Sequence, residues 1–246
     1  MEAYTSFARV YDMFMDNVPY EVWSRYIVEK LRANGIDSGY VVDLGCGTGK
    51  LTTLLADAGY DMIGIDNSLD MALEREDDRI LYLMQDMREF EPGEKVSAVV
   101  SACDSINYIL EPEDLQAVFF CVSESLKEGG IFIFDINTPY KYEVLMADNT
   151  IAENRDEGSF IWDNYYDADE KINEYDLTLF IKEQSEDEDD IYKKFEETHF
   201  QRCYEISELK ELLEQSGLVF DAVYDAYTDD QVKCDSEKVT VIAHKA

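Results

Sequence analysis

Val41-Val42-Asp43-Leu44-Gly45-Cys46-Gly47-Thr48-Gly49-Lys50-Leu51-Thr52 reads as a short buried strand that stops in a glycine-rich turn and passes directly into a helix. Glycine at 45, 47 and 49 lets the backbone take positive φ and approach a ligand where a Cβ would collide. Thr48 and the turn after it open a helix whose free amides face that ligand. Such a turn is a nucleotide cradle, and its spacing decides which kind. A phosphate-gripping loop needs G-x-x-x-x-G-K-[ST], and a dinucleotide fold needs G-x-G-x-x-G/A with the helix dipole aimed at pyrophosphate. Here the spacing is Asp-x-Gly-x-Gly-x-Gly, and Lys50 holds the place of the third dinucleotide glycine. Asp43 would repel pyrophosphate and suits a ligand carrying an ammonium or sulfonium charge. An NAD-dependent oxidoreductase is disfavoured on both counts.

Moving outward, Met62-Ile63-Gly64-Ile65-Asp66 is a second strand ending in an acid. A carboxylate there can accept both hydrogen bonds of a ribose diol, close to the roughly twenty-residue offset expected of such an acid. Asp66 can equally cap a helix over 68–74. A third strand over 80–84 delivers Gln85-Asp86-Met87. Acids at the ends of three successive strands are far more specific together than singly, because open parallel sheets bind ligands just beyond those ends. A fourth strand over 96–101 runs into Ala102-Cys103-Asp104-Ser105-Ile106-Asn107-Tyr108, the crossover nearest the switch in strand order. There Asp104 and Asn107 read equally as helix caps and as substrate contacts.

These motifs, with a Leu126-x-x-Gly129-Gly130 approach to a fifth strand over 131–135, resemble the class I S-adenosylmethionine (SAM) dependent methyltransferases over residues 1 to about 140. The resemblance implies an α/β, Rossmann-like, seven-stranded and mostly parallel sheet with an antiparallel last strand and helices on both faces. It implies SAM as methyl donor and S-adenosylhomocysteine as product. It places Tyr11, Trp23, Asp43, Gly45, Cys46, Gly47, Gly49, Asp66, Asn67, Asp86, Met87 and Cys103 around the cofactor, with Asp86 accepting from the adenine amino group and Met87 packing on its face. Asn107, Tyr108, Trp162 and Arg202 would bind the acceptor, and Asp104 or His199 would serve as catalytic base. Asn137-Thr138-Pro139-Tyr140 looks like the signature of methyltransferases acting on DNA bases, but it follows the fifth strand rather than the fourth.

Ahead of the first strand, apolar residues from Tyr4 to about Asp16 recur at helical spacing, and a second helical pattern with Val22, Trp23, Tyr26, Ile27 and Leu31 follows Pro19. These helices can pack on the sheet edge. The run Tyr4-x-x-Phe7-Ala8-x-x-Tyr11-Asp12 also looks like the lid of small-molecule methyltransferases. Glu111-Pro112 opens a helix with Leu115, Phe119, Val122 and Leu126 at core spacing, closed by Gly129-Gly130. A helix over 206–215 and strands over 219–224 and 239–243 complete the chain.

Between about 150 and 200 the pattern turns to period two, with Tyr175, Leu177, Leu179 and Ile181 alternating with Glu174, Asp176, Thr178 and Phe180. The segments 167–171 and 185–190 read as polar hairpin connections. A small inserted antiparallel sheet of this kind is similar to the substrate cover of glycine and amino-sugar N-methyltransferases. The expected division is a SAM-binding core of 1–148 and 202–246 with an N-terminal helical lid, and a substrate-covering insertion of 149–201. His199 lies where the insertion returns to the core; its unperturbed pKa suits removal of an acceptor proton, and a structural histidine on a strand is the competing reading.

Asp and Glu number 55 against 21 Lys and Arg, a formal net charge of −34. That field repels nucleic-acid phosphates and anionic lipid, and no basic tract offsets it. Cys46, Cys103, Cys121, Cys203 and Cys234 contain no C-x-x-C, and the histidines at 199 and 244 lie far apart, so no disulfide framework or metal site is signalled. Charged residues at 2, 9, 12 and 16 argue against a targeting segment, and no run of eighteen apolar residues occurs. The expectation is a cytoplasmic enzyme, monomer or dimer, that methylates N or O of a small molecule. The alternatives are an RNA or protein methyltransferase, or a catalytically silent SAM-binding regulator or scaffold.

Overall fold

The computed structural model describes residues 7–73, 77–183 and 190–246. The start of the first expected helix at 4–6, the end of the fourth at Glu74 and the connection at 185–189 lie outside the described residues. Two helices, α1 (Ala8–Phe14) and α2 (Tyr20–Ala33), precede the sheet. Then β1 (Tyr40–Leu44), α3 (Lys50–Asp57), β2 (Asp61–Asp66), α4 (Leu69–Leu73), β3 (Leu81–Met84) and β4 (Val96–Ser101) alternate, followed by a 3-10 turn (Ser105–Tyr108), α5 (Pro112–Ser125) and β5 (Leu126–Asn137). After a π-helical turn (Lys141–Met146) come β6 (Thr150–Asn154), β7 (Gly158–Asp167), β8 (Ile172–Glu183) and β9 (Ile191–Arg202), and the chain closes with α6 (Ile206–Gln215), β10 (Leu218–Asp225) and β11 (Lys238–Lys245).

Strands β1 to β5, β10 and β11 form one seven-stranded sheet in the order β10-β11-β5-β4-β1-β2-β3. β1 pairs in parallel with both β2 and β4, so the strand order reverses between β1 and β4, and β11 alone runs antiparallel to its neighbours β5 and β10. Both faces are covered, which is why the central strands are continuously apolar. Val42 and Leu44 share one core with Phe119 and Val122 of α5 and Leu209 and Leu213 of α6, while Val41 joins Ile27 and Leu31 of α2 and Leu51 and Leu55 of α3 on the other. α2 therefore covers a sheet face rather than an edge.

One boundary differs from the sequence reading. α5 ends at Ser125, and Leu126, expected as its last core position, is extended at φ −71° and ψ 146° and pairs with Val96 of β4. Gly129 then turns at φ 71° before Ile131 resumes the register opposite Ala98. The pair is therefore a bulge, and Leu126 fills the same core from a strand that it would have filled from a helix.

The remaining strands form a separate four-stranded antiparallel sheet, β6-β7-β8-β9. Its inner face carries Leu177, Leu179 and Ile181 onto Phe7, Ala8, Val10, Tyr11 and Phe14, and Met71 of α4 closes the cluster. A helix of 7 residues cannot hold itself together in water. α1 persists because its apolar side chains are buried here, each such burial contributing about 1.5–3 kcal/mol.

Candidate functional site

A cavity of about 720 Å³ opens at the carboxyl ends of β1, β2, β3 and β4, within the size range of small-molecule sites. Its floor is the glycine turn. Gly45, Gly47 and Gly49 take φ of 78°, 53° and 85°, the left-handed region that glycine enters without penalty. A Cβ at Gly45 would lie 2.7 Å from the Ser105 side chain, whereas at Gly47 nothing stands within 4 Å, so Gly47 presents bare backbone. Asp66 accepts the Gly47 amide at 2.8 Å on one oxygen and the Ser68 amide at 2.8 Å on the other. It thus braces the turn and starts α4 while still lining the cavity. Asp43, 2% exposed, accepts from Thr52 Oγ1 at 2.6 Å.

On the β3 side, Arg88 grips Asp86 through Nε at 2.9 Å and Nη2 at 2.6 Å and reaches Asp114 at 2.9 Å. Its hydrogen bonds hold the Asp86 carboxyl below the usual range against partial burial. On the lid side, Asp12 of α1 accepts from Thr48 Oγ1 at 2.8 Å and lies 3.4 Å from Lys50 Nζ. Arg155 of the inserted sheet pairs with Asp16 at 2.8 Å. α1 is therefore tied to the glycine turn on one side and to the insertion on the other.

The loop after β4 is strained. Cys103 and Asp104 are consecutive non-glycine residues with φ of 57° and 52°, a conformation costing about 1–3 kcal/mol each. Asp135 of β5 holds both, accepting the Cys103 amide at 3.0 Å and the Asp104 amide at 2.6 Å. Lys238 bridges Asp104 at 2.7 Å and Asp135 at 3.2 Å. Burial works against the Asp104 carboxylate, but Lys238 and Lys141 outweigh it and hold its pKa down. Burial pushes the Cys103 thiol up to about 12, with Lys238 opposing.

Tyr108 lines the cavity, and behind it runs a buried chain. Its hydroxyl meets that of Tyr175 and lies 3.2 Å from His199 Nδ1. His199 Nε2 lies 3.3 Å from Glu197 Oε2, and Glu197 Oε1 accepts the Phe7 amide of α1 at 2.9 Å. His199 and Glu197 are 1% and 2% exposed. Trp162 stacks on Tyr175 at 4.2 Å, and Tyr175 on His199 at 4.9 Å.

Of the residues expected around cofactor and acceptor, the structure brings Tyr11, Asp43, Gly45, Cys46, Gly47, Asp66, Asn67, Asp86, Met87, Cys103 and Tyr108 to this cavity. Seven others line other surroundings. Trp23 stacks on Tyr227 at 4.5 Å, and Tyr20, one turn earlier, lines the cavity in its place. At Gly49 a Cβ would lie 2.2 Å from the Tyr82 hydroxyl, so its role is close packing. Asp104 caps no helix with its side chain; its carboxylate takes Gln201 Nε2 at 2.6 Å besides Lys238. Asn107 is fully buried, donating to the Arg202 carbonyl at 2.8 Å and accepting the Asn137 amide at 3.1 Å. Arg202 lies over Tyr204 and 3.8 Å from Glu208. Trp162 stands behind Tyr175, and His199 behind Tyr108. Sequence reasoning missed Tyr20, Lys50, Met71, Gln85 and Arg88 in the lining, and Glu197 beside His199. The last had a signal, since Glu-x-His on a strand puts both side chains on one face.

This donor set fits a SAM molecule. The open backbone at Gly47 admits close approach, and Asp43, Asp66 and Asp86 on the cavity wall are carboxylate acceptors of the kind that an ammonium, a ribose diol and an amino group would need. A profile of the methyltransferase domain family matches residues 41–130. A candidate methyltransferase of Bacillus subtilis (strain 168), YqeM, is 32% identical over 249 residues, spanning 99% of this chain and 97% of its own. The dTDP-3-amino-3,4,6-trideoxy-α-D-glucopyranose N,N-dimethyltransferase of Streptomyces venezuelae is 30% identical over 150 residues, 59% of this chain and 62% of its own. The crystal structure of a SAM-dependent methyltransferase from Clostridium acetobutylicum ATCC 824 superposes with a TM-score of 0.85 at 28% identity, covering 100% of both chains.

Proposed function

The chain belongs to the class I SAM-dependent methyltransferases, and from that premise we propose that it methylates a nitrogen or oxygen of a small-molecule acceptor. The observation that carries this reading is the lid: α1 puts Tyr11 on the wall of the cavity and is itself buried under the four-stranded sheet, and a cavity of about 720 Å³ suits a small acceptor better than a polymer. On this reading the SAM-binding core is 1–148 and 202–246, and the insertion of 149–201 covers the substrate. The aminosugar specificity of the Streptomyces venezuelae relative supports a polar acceptor. With a formal charge of −34, nucleic acid is a poor partner. The full-length relation to a candidate methyltransferase of Bacillus subtilis supports a cytoplasmic setting.

In this assignment Asp66 takes the ribose diol, Asp86 and Met87 the adenine, and Asp43 with the Gly45 to Gly47 backbone the methionyl end, with Tyr11, Cys46, Asn67 and Cys103 completing the wall. SAM supplies an activated sulfonium methyl. The protein positions the acceptor, excludes water and provides for the acceptor's proton. Asp135 acts as a positioning residue, holding the strained Cys103-Asp104 pair beside the cavity.

The test is S-adenosylhomocysteine release from SAM with a panel of small amines, aminosugars and hydroxy compounds, run beside total RNA and a mixed protein substrate. Turnover confined to small acceptors is the expected result. Turnover on RNA or protein alone would overturn it.

A further inference from the structure

We propose that Tyr108, His199 and Glu197 form the proton exit of the reaction, and that the acceptor is accordingly an amine bearing at least one hydrogen. The inference rests on the methyl-transfer reading above and adds the chemical class of the acceptor. Its basis is the line of contacts that leaves the cavity at Tyr108, passes His199 at 3.2 Å and Glu197 at 3.3 Å, and ends on the Phe7 amide of the lid.

A buried histidine–glutamate pair is expensive. Each charge removed from water costs several kcal/mol, and packing alone does not ask for it here. Glu197 and His199 lie opposite Leu177 and Tyr175 in the sheet register, on a face whose other buried side chains are neutral, apolar at Leu179 and Ile181 and amide at Asn164, Asn173 and Gln201. The pair also has a direction. Glu197 Oε2 can only accept when ionised, which puts the imidazole proton on Nε2 and leaves Nδ1 as an acceptor toward the Tyr108 hydroxyl. That hydroxyl in turn can accept from Tyr175. Tyr108 is the one member of the chain that lines the cavity. The rival base, Asp104, is tied to Lys238 and Gln201.

The new N–C bond forms from the acceptor nitrogen's lone pair as the S–C bond breaks and leaves its electrons on sulfur. One nitrogen proton then passes to Tyr108 Oη while the tyrosine's own proton passes to His199 Nδ1. His199 keeps its Nε2 proton against Glu197 and, being buried itself, returns the accepted proton through Tyr108 to water in the cavity once the product has left. This exit suits a methylated ammonium. It does not suit an aliphatic hydroxyl, which holds its proton about as tightly as water does, far more tightly than an ammonium does. The cavity lining agrees: Asp43, Asp66, Asp70, Asp86, Glu111 and Asp114 face Lys50 and Arg88 alone.

Among the described residues, the groups facing His199 include Glu197 on β9, Tyr175 on β8 with Trp162 of β7 behind it, and Tyr108 from the 3-10 turn. Phe7 of α1 acts through Glu197, and the Asp104 charge bears on Tyr175. The experiment compares two ligands on the full chain by calorimetry between about pH 5.5 and pH 8: S-adenosylhomocysteine, and sinefungin, which carries an ammonium-bearing carbon where SAM carries its sulfonium methyl. Imidazole 15N NMR runs in parallel. Only two histidines are present, and His244→Gln, on the exposed end of β11, assigns them.

The expected result is His199 as the neutral Nε2–H tautomer at high pH. On acidification through the His199 midpoint, the sinefungin to S-adenosylhomocysteine affinity ratio falls about tenfold, because the imidazolium now opposes the ligand's ammonium. His199→Gln abolishes that fall. Glu197→Gln, as a second variant, moves the midpoint to lower pH, since the carboxylate that favoured the charged ring is gone. A ratio flat with pH, or a His199 proton on Nδ1, overturns the relay while S-adenosylhomocysteine binding still supports the cofactor site. Absence of binding by either ligand overturns the methyltransferase reading itself.

Discussion

Asp66 performs two tasks with one carboxylate, bracing the Gly47 amide and starting α4 at Ser68, and it does so on the wall of the cavity. Asp66→Ala is expected to weaken S-adenosylhomocysteine by about 1–3 kcal/mol, read as a calorimetric Kd; unchanged affinity would remove it from the site. Gly49 is constrained differently, by its φ of 85° and by the Tyr82 hydroxyl. Gly49→Ala is expected to destabilise the fold by more than about 1 kcal/mol, measured as the midpoint of urea unfolding. These two residues were legible in the sequence because the backbone itself demands glycine and because an acid at a strand end has few other uses. Trp162, Arg202 and Asn107 were assigned to the acceptor and lie elsewhere. For them, the direction of a side chain depends on which face of a strand or turn meets the core, and no local spacing encodes that.

At the scale of elements, α1 and β9 carry the account. α1 is held by burial under the inserted sheet and by Asp12 at the glycine turn, so it closes the cavity only while both contacts hold. Asp12→Ala is expected to speed S-adenosylhomocysteine release several-fold with little change in melting temperature, since an exposed ion pair contributes about 0–1 kcal/mol to the fold. Stopped-flow dissociation measures it, and an unchanged rate would mean that α1 does not gate the site. The helical spacing of α1 was readable in advance. β9 was placed as a strand by the hairpin connection before it, but its faces were not readable, because its inward positions are Glu197, His199 and Gln201 while Phe200 faces solvent at 41% exposure. That inverted pattern is the mark of a strand serving a polar network instead of a core. Leu126 hid the end of α5 for the opposite reason, satisfying the apolar pattern of helix and strand alike.

For the whole molecule the dominant quantity is the net charge of −34, whose self-repulsion opposes compaction. Salt screens it, so raising NaCl from about 50 mM to about 500 mM should raise the melting temperature; a fall would mean that the ion pairs matter more than the net field. Acid acts through particular carboxylates. Asp104, against burial, is held below the usual range by Lys238 and Lys141, and Asp86 by Arg88. Folded values below unfolded ones give stability that is present above about pH 3.9 and is lost as pH falls through the folded pKa. Urea midpoints taken downward from about pH 5 should therefore drop below about pH 4, and less so in Lys238→Met, where the depressed value of Asp104 is released. The sheet order was accessible from the alternation of strand and helix, whereas the closure of α1 between two sheets was not, because it joins segments about 170 residues apart in sequence. All of this converges on the cavity at the ends of β1 to β4 as an adenosyl site. The measurement that tests it most directly is calorimetric titration of the purified chain with S-adenosylhomocysteine, with NAD as the competing ligand. The account predicts one site of micromolar affinity for the adenosyl ligand and no heat with NAD, and a folded protein that binds NAD, or neither, would contradict it.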